Sequence, residues 1–373
     1  MKKTKTGHLE INAATHAGMT GKQNEDRYKV ACYFVGQKQN EPACIAVLCD
    51  GIGGHRAGEI AAEMGVSMIT DRVIQGDPTD PLNTLKDAIS QTNNAIFRAS
   101  QSDRGREGMG TTCACAWVMG DRLYTANLGD SRIYLMRAGH LVQLTTDHTW
   151  LQEARDAGII LNEHGGKHPN AHIIRRYLGS EKEPEPDFRL WYFENESDAD
   201  ALGNQGFRLE QGDVILLCSD GLTDLVSDEE IKDILQNTSQ SEAPHALIAR
   251  ANQGGGYDNV TVVLLSNPLQ KKPSGRAKPK QHLVAGCLGI LVLMGVLLTA
   301  LVWGLRWQRK GSDQTATPTI RMMETISGEE LELFPATMHS LTPTLLDRSE
   351  TQAATLSPAA TRTPWPTNTP SGD

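Results

Sequence analysis

Short apolar runs rich in β-branched residues recur along the first 267 residues, interrupted by segments whose apolar residues have helical spacing. The runs predict β-strands at residues 43–49, 111–119, 122–128, 132–136, 214–218 and 260–265. The helical spacing predicts helices at residues 58–74, 81–100 and 243–251. Most links between strands are short, Gly120-Asp121 is a hairpin signal, and the two long helices are consecutive. This order favours an α+β fold with antiparallel or mixed sheets packed under helices.

A second pattern lies at residues 283–305, where 23 residues carry no charge and nearly all are apolar. A helix of this length spans about 35 Å, which is enough for a bilayer core of about 30 Å. Five basic residues precede the segment and three follow it, so its N-terminal side is expected to be cytoplasmic. The N-terminus leads into no apolar run, and no secretory signal is predicted.

The charge of the chain changes at the borders of this segment. The net charge of −9 divides into −12 for residues 1–267, +8 for residues 268–310 and −5 for residues 311–373. We therefore expect a main domain at 1–267, a basic juxtamembrane linker at 268–282, a transmembrane helix at 283–305 and an extracytoplasmic tail at 306–373. The tail is rich in Thr and Pro and is predicted to be extended or disordered, either as a glycosylated stalk or as a featureless spacer.

The charge and the cysteines of the chain argue against a nucleic-acid partner and against a framework of disulfide bonds. The acidic main domain disfavours nucleic acid as a partner, and the basic linker suits anionic membrane lipid. The seven cysteines are odd in number and scattered, which fits a reducing compartment better than a disulfide framework. Cys113 and Cys115 lack the spacing of a zinc knuckle and are predicted to be small buried side chains.

Aspartates occur repeatedly where a predicted strand meets a glycine turn. Asp50-Gly51 and Asp220-Gly221 each follow an apolar run, and Asp130 follows Gly129. A single Asp-Gly is usually only a turn, but strands that lie side by side would bring several such carboxylates to one edge. Clustered carboxylates are costly unless a multivalent cation is shared among them, and oxygen ligands select Mg²⁺ or Mn²⁺ before Zn²⁺. Two such ions can activate a water for attack on a phosphoryl group.

Seven short motifs in order resemble those of the type 2C metal-dependent serine/threonine protein phosphatases. They are Asn24-Glu25-Asp26-Arg27, Asp50-Gly51-Ile52-Gly53-Gly54-His55, Met109-Gly110-Thr111-Thr112, Asn127-Leu128-Gly129-Asp130-Ser131-Arg132, Leu144-Thr145-Thr146-Asp147-His148, Ser219-Asp220-Gly221-Leu222-Thr223-Asp224 and Asp258-Asn259-Val260-Thr261. The match covers residues 8–266, and the chain is identified as a member of the bacterial membrane-anchored form of the family. The resemblance implies two antiparallel sheets sandwiched between pairs of helices, with a variable flap at residues 150–206.

The resemblance also implies a ligand set for two metal ions, Mn²⁺ or Mg²⁺, and for a third, weaker site. Asp50 resembles the carboxylate that bridges the two ions, and Gly51 lends its backbone carbonyl. Asp220 and Asp258 resemble the other direct ligands. Glu25 and Asp26 resemble acids that hold metal-bound water. Asp130 and Asp224 resemble ligands of the third ion. The implied reaction is hydrolysis of phosphoserine and phosphothreonine in proteins by metal-activated water, without a phosphoenzyme.

Two positions depart from the family pattern. Many members have an arginine three residues before the Asn-Glu-Asp motif, where it binds the substrate phosphate, but this chain has Gly21 followed by Lys22. Lysine offers a point charge without the guanidinium fork, so Lys22 is expected to substitute only in part. Some members place a candidate general-acid histidine directly after Asp-Gly, where this chain has Ile52. His55 follows three residues later, either as the acid or as a histidine packed at a helix start.

Other functional classes fit the sequence less well. A cysteine phosphatase needs Cys followed by five residues and Arg, whereas six residues separate Cys49 from Arg56. The glycine-rich stretch after Asp50 lacks the Gly-Lys-Ser/Thr ending of a nucleotide-binding loop. The remaining alternative is a catalytically weak membrane receptor or scaffold whose outer tail senses a signal. The family resemblance implies phosphorylated proteins as partners, with a cognate serine/threonine kinase and its substrates among them.

Overall fold

Two antiparallel β-sheets form the centre of the fold in a computed structural model, which describes residues 8–36, 41–53, 57–160, 168–268 and 322–327. The strands are β1 (Glu10–His16), β2 (Arg27–Val35), β3 (Glu41–Cys49), β4 (Gly51–Ile52), β5 (Gly110–Thr111), β6 (Cys113–Met119), β7 (Arg122–Leu128), β8 (Arg132–Arg137), β9 (His140–Gln143), β10 (Phe207–Arg208), β11 (Val214–Cys218), β12 (Val260–Ser266) and β13 (Met322–Ser327). One sheet has the order β1-β12-β11-β8-β9 and the other β10-β7-β6-β3-β2-β13. Strands β4 and β5 form a small separate pair.

Helices cover the outer face of each sheet. They are α1 (Ala57–Gln75), α2 (Pro81–Ser102), α3 (Trp150–Asp156), α4 (Asp198–Gly203), α5 (Asp220–Thr223), α6 (Asp228–Asn237) and α7 (Ala243–Gln253), with a 3₁₀ turn at Arg104–Arg106. The long helices α1 and α2 pack against the sheet that contains β3 and β6, and α5, α6 and α7 pack against the sheet that contains β11 and β12. The result is the predicted layer order of helices, sheet, sheet and helices.

The alternation of side chains along the central strands explains these layers. Ile45 and Val47 of β3 face α1 and α2, whereas Leu48 faces the opposite sheet. In β11, Leu217 faces the space between the sheets and Leu216 faces α6 and α7. Because both faces of these strands are covered, their sequences are continuous apolar runs rather than alternating ones. That is the pattern from which the strands were predicted.

All but one of the predicted strands and helices lie within observed elements, and the hairpin at Gly120 joins β6 to β7. The exception is the strand predicted at 111–119, which is divided at Thr112 into the end of β5 and the whole of β6. Gly120 has a φ of +57°, a conformation that favours glycine, which accounts for the turn. The elements that were not predicted are β1, β2, the short strands β4, β9 and β10, and the short helices α3, α4, α5 and α6. The strand β1 is mostly half-buried and is exposed at both ends, so it is not a continuous apolar run.

One cysteine expectation is wrong. Cys32 in β2 and Cys44 in β3 are directly opposite in the register of the two strands, with Cα atoms 4.1 Å apart, and are joined as a disulfide. Spacing in the sequence gave no signal of this pairing because it depends on the strand register. Cys113 and Cys115 are buried and free, as predicted.

Two further expectations concern the C-terminal part of the chain. The predicted span at 283–305 and the linker at 268–282 lie outside the described residues, apart from residue 268. Within the described ranges, no helix is long and apolar enough to cross a membrane. Of the tail, which was expected to be extended or disordered, the structure describes Met322–Ser327. These residues form the extended strand β13, which pairs antiparallel with the edge strand β2.

Candidate active site

The strand-end aspartates converge at one end of the two sheets. Asp50 follows β3, Asp26 precedes β2, and Asp220 follows β11 and opens α5. Asp50 interacts electrostatically with Asp26 and Asp220, and with Asp130 after β7. Asp220 interacts in turn with Asp224 and Asp258. The structure therefore brings together six of the seven predicted metal-site acids in one carboxylate cluster, with Asp220 at its centre.

The protonation behaviour of the carboxylate cluster shows how unfavourable its charge is without a cation. Burial, reinforced by the neighbouring carboxylates, raises the pKa of Asp26 to about 7 and that of Asp220 to about 6, although a hydrogen bond from Ser219 opposes the shift at Asp26. Burial and like charges also raise the pKa values of Asp50 and Asp130. In the described part of the chain, no cationic side chain forms an ion pair with any of these four carboxylates.

Several carboxylate oxygens of the cluster have no hydrogen-bond partner. Asp26 Oδ1, Asp130 Oδ1 and Asp220 Oδ1 are buried without a hydrogen-bond partner. An orphaned buried carboxylate oxygen costs free energy, and a divalent cation that prefers oxygen ligands would satisfy several of them at once. The all-oxygen donor set therefore fits Mg²⁺ or Mn²⁺.

Asp258 is arranged differently from the inner acids. Its side chain is 55% exposed, and its Oδ2 atom lies 3.3 Å from Lys22 Nζ. Lys22 thus donates to one oxygen of this carboxylate, and among the described residues no three His, Cys, Asp or Glu side chains form a ready-made metal site. The predicted ligand set also relies on the Gly51 carbonyl and on water, which such a grouping of side chains does not include.

Glycines allow the ligand-bearing turns to approach neighbouring backbone closely. A Cβ atom on Gly51 would collide with the backbone of Gly58 at the start of α1, and a Cβ on Gly58 would lie 2.5 Å from Glu25 Oε2. A Cβ on Gly221 would collide with the Asn259 carbonyl oxygen. The glycine after each aspartate is therefore required by packing, and Glu25 is brought beside the Asp50 turn.

Hydroxyl groups fix the backbone at Asp50. The Thr111 hydroxyl donates to the Asp50 carbonyl oxygen at 2.8 Å, and the Asp50 N–H donates to Thr112 Oγ1 at 2.9 Å. Thr112 Oγ1 also lies 2.8 Å from Ser131 Oγ. The Gly-Thr-Thr motif was recognised in the sequence without a role. The structure shows that it orients the turn that carries Asp50.

Asn259 plays a similar part at the other loop. Its Nδ2 atom donates to the carbonyl oxygens of Ala17 and Gln23, both at 3.2 Å, and its Oδ1 atom accepts from the Glu25 N–H at 2.7 Å. One buried side chain thus closes the loop that leads to Glu25 and Asp26. Sequence reasoning missed this role, although the Asp-Asn pair was already part of a recognised motif.

The two uncertain positions have different outcomes. Lys22 lies at the edge of the carboxylate cluster beside Asp258, and its role in phosphate binding stays a prediction. Gly21 has a φ of +75°, so an arginine would be strained at this position. His55 lies outside the described residues, and its role as general acid stays a prediction.

The flap contributes contacts on another side of the carboxylate cluster. His172 Nδ1 lies 3.8 Å from Asp224 Oδ2, and Trp150 stacks on His168 with ring centroids 4.2 Å apart. Asp147, which interacts electrostatically with Asp130, binds Arg132 through both carboxylate oxygens. His172 and Asp147 are thus neighbours of Asp224 and Asp130, the acids of the predicted third metal site.

Comparison with known proteins agrees with the arrangement of motifs. The family model described as Protein phosphatase 2C matches residues 16–154. The chain is 35% identical over 270 residues to the serine/threonine phosphatase stp of Listeria welshimeri, covering 71% of this chain and 98% of the relative. It is 39% identical over 257 residues to the serine/threonine protein phosphatase PstP of Mycobacterium tuberculosis, covering 69% of this chain and 44% of the relative.

Solved structures are similar over the same part of the chain. The serine/threonine phosphatase of S. agalactiae has 31% identity and a TM-score of 0.58, covering 69% of this chain and 99% of that one. The M. tuberculosis phosphatase PstP/Ppp has 36% identity and a TM-score of 0.57, covering 70% and 99%. The catalytic domain of PstP in complex with two manganese ions has 36% identity and a TM-score of 0.54, covering 69% and 97%.

Proposed function

The chain belongs to the protein phosphatase 2C family, and from this premise we propose that its carboxylate cluster is the dimetal active site of a serine/threonine protein phosphatase. The observation that carries the proposal is the set of unpaired, buried carboxylates at the ends of strands from both sheets. The enzyme is metal-dependent and uses Mn²⁺ or Mg²⁺, as the manganese complex of PstP supports. Its substrates are phosphorylated proteins.

In this proposal the residues divide the work as follows. Asp50, the Gly51 carbonyl, Asp220 and Asp258 would hold the two ions directly. When bound, the ions supply a water activated at neutral pH and neutralise charge on the phosphoryl group. Thr111, Thr112 and Asn259 keep the two ligand loops in place. The water-holding acids are Glu25 and Asp26, and the acids of the third site are Asp130 and Asp224.

The competing function is a receptor or scaffold with little turnover. The departure at Gly21 favours it, but retention of the whole carboxylate cluster, at a cost in stability, supports an enzyme. Phosphate release from a phosphothreonine peptide by the full chain with Mn²⁺ separates the two functions. Turnover supports the phosphatase function. No turnover at any manganese concentration would support the receptor or scaffold function instead.

We expect the Lys22→Ala substitution to raise the KM for a phosphothreonine peptide about fivefold, with a smaller effect on kcat. The substitution removes a point charge beside the carboxylate cluster. Because the Lys22 side chain is exposed to solvent, the loss of binding free energy should be about 1 kcal/mol. Steady-state kinetics at saturating Mn²⁺ measure both constants. Lys86→Ala, an exposed lysine on α2, is the control and should change neither. An unchanged KM in Lys22→Ala would remove Lys22 from phosphate binding.

We also propose a single membrane span at residues 283–305, with residues 1–267 in the cytoplasm and the tail outside. The uncharged 23-residue run and its basic flanks support this arrangement. A cognate membrane kinase and its substrates are the proposed protein partners, and lipid contacts the span. An external tail and the pairing of β13 with β2 exclude each other in one molecule, since β2 is part of the catalytic domain.

Protease protection distinguishes these two positions of the tail. With an epitope tag after residue 373, we expect protease added to intact spheroplasts to remove the tag and to spare the catalytic domain. Permeabilised cells provide the control, in which both parts become accessible. A tag that stays protected in intact spheroplasts would contradict the external tail and agree with β13 lying on β2.

A further inference from the structure

Two large apolar side chains are exposed together at the rim of the carboxylate cluster. Met19, between β1 and β2, and Tyr257, just before β12, are each 64% exposed. Tyr257 directly precedes Asp258, and Met19 is three residues before Lys22. Apolar side chains of this size are seldom left adjacent and exposed without a contact to make.

The two loops that carry these side chains are fixed to each other. The Met19 N–H donates to the Gly256 carbonyl oxygen at 2.7 Å. Gly18 has a φ of +74°, and a Cβ atom there would collide with the Asp258 carbonyl oxygen. The position of both apolar side chains relative to Asp258 is therefore set by backbone contacts rather than by loose loops.

Glycine backbone forms the floor beneath both side chains. A Cβ on Gly256 would lie 2.6 Å from Met19 Cγ, and a Cβ on Gly255 would collide with the Tyr257 ring. Gly255 and Gly256 have φ values of +129° and +55°, which only glycine adopts readily. Each side chain thus lies along bare backbone while most of its surface faces solvent. We name Met19 and Tyr257 the apolar platform.

We propose that the apolar platform binds an apolar side chain that flanks the phosphorylated residue of a protein substrate, an inference that rests on the proposed phosphatase function. Asp258 directly follows Tyr257, pairs with Lys22 and interacts electrostatically with Asp26. The platform therefore borders the carboxylate cluster, where the proposed function places the phosphoryl group. A peptide whose phosphate reaches that cluster therefore passes the platform with its neighbouring residues. Tyr and Met are suited to such contacts, since Tyr offers a large rigid surface and Met adapts its shape.

The platform predicts a sequence preference in the substrate. One methylene group in a hydrophobic pocket changes kcat/KM by about 10- to 200-fold, and the open platform places the effect of leucine at the lower end of this range. We therefore expect kcat/KM to be about tenfold higher for a phosphothreonine peptide with leucine at the preferred flanking position than for the same peptide with glycine. Peptides with leucine at one of the two positions before phosphothreonine, or at one of the two positions after it, locate the preferred position.

The test compares the full chain with its Met19→Ala/Tyr257→Ala variant on the leucine and glycine peptides at saturating Mn²⁺. We expect the leucine-to-glycine ratio of kcat/KM to fall from about tenfold to near one in the variant. Phe193→Ala is the matched control, because Phe193 is 63% exposed but lies elsewhere in the chain, and the ratio should be retained.

Every other result of this experiment would contradict the proposal, and the results can be told apart. A wild-type enzyme that turns over both peptides equally, or a variant that keeps the ratio, would refute the platform while leaving the phosphatase function intact. No turnover of any peptide by the wild-type enzyme would refute the proposed function and the platform with it. An unchanged ratio accompanied by a smaller particle mass in the variant would instead assign Met19 and Tyr257 to contact with a second copy of the chain.

Discussion

Substitution of Asp50 by Asn is expected to reduce kcat/KM for a phosphothreonine peptide by about 10³-fold or more. Asp50 is the carboxylate that the proposed function places between both ions, so one substitution disturbs two binding sites. An amide oxygen is neutral and offers one ligand atom in place of two. Losing several kcal/mol of transition-state stabilisation corresponds to a loss of this size.

The measurement is phosphate release by the full chain over a range of Mn²⁺ concentrations, so that weaker binding is distinguished from lost chemistry. Asp87→Asn, an exposed aspartate on α2, is the control and should retain full activity. The thermal unfolding midpoint of each variant establishes that the protein is folded. An Asp50→Asn enzyme with more than a tenth of the wild-type activity would contradict the proposed role of Asp50.

Asp220→Asn is expected to have opposite effects on stability and function. In the metal-free protein it removes a carboxylate whose charged form is disfavoured by burial and by its neighbours. We therefore expect the unfolding midpoint at pH 8 without metal to rise by about 5 °C, corresponding to about 2 kcal/mol. The same substitution should abolish the stabilisation that Mn²⁺ gives the wild-type protein and should abolish activity.

The direction of the pH dependence follows from the raised pKa values. An aspartate whose pKa rises from 3.8 to about 6 on folding, as at Asp220, or to about 7, as at Asp26, binds protons more tightly in the folded state. Metal-free wild-type protein should therefore lose stability as pH rises from about 4 to about 7, with little further loss from these groups above that. Asp220→Asn should weaken this dependence, and saturating Mn²⁺ should offset it.

Asp213→Asn provides a matched comparison for this second prediction. Asp213 is also buried, at 2% exposure, but it forms an ion pair with Arg137 at 2.6 Å. Asp213→Asn removes the buried partner of Arg137 and leaves it only the ion pair with the exposed Glu210 at 3.3 Å, so the unfolding midpoint should fall with and without metal. Differential scanning calorimetry with and without chelator measures all three proteins. A lower midpoint for metal-free Asp220→Asn would contradict the account of the carboxylate cluster.

The sequence predicted the layers of the fold because its central strands have a simple pattern. Strands such as β3 and β11 are buried on both faces and therefore appear as continuous apolar runs. The helix α6 was missed even though Ser227 and Glu230 form a capping box at its start, which is a recognisable sequence signal. The β13 strand had no such signal, because its pairing with β2 is a contact between distant parts of the chain.

At the site, residue types were easier to predict than their supporting contacts. The acids of the carboxylate cluster were identified from strand ends and family motifs, and six of the seven meet in the structure. The orientation of Asp258 toward Lys22 could not be predicted, since it depends on how the two loops pack. The same is true of Asn259, whose three hydrogen bonds join residues more than 230 positions away in the chain. Long-range geometry of this kind is not encoded in local spacing.

The most direct test of the central claim is the rate of phosphothreonine peptide hydrolysis by the full chain as Mn²⁺ is added back to chelated enzyme. We expect no measurable turnover in chelator. Adding Mn²⁺ should raise the rate of the wild-type protein to saturation and should not raise the rate of Asp50→Asn. Turnover that persists in excess chelator, or that Asp50→Asn recovers in full with Mn²⁺, would contradict the assignment of the carboxylate cluster as the metal-binding active site.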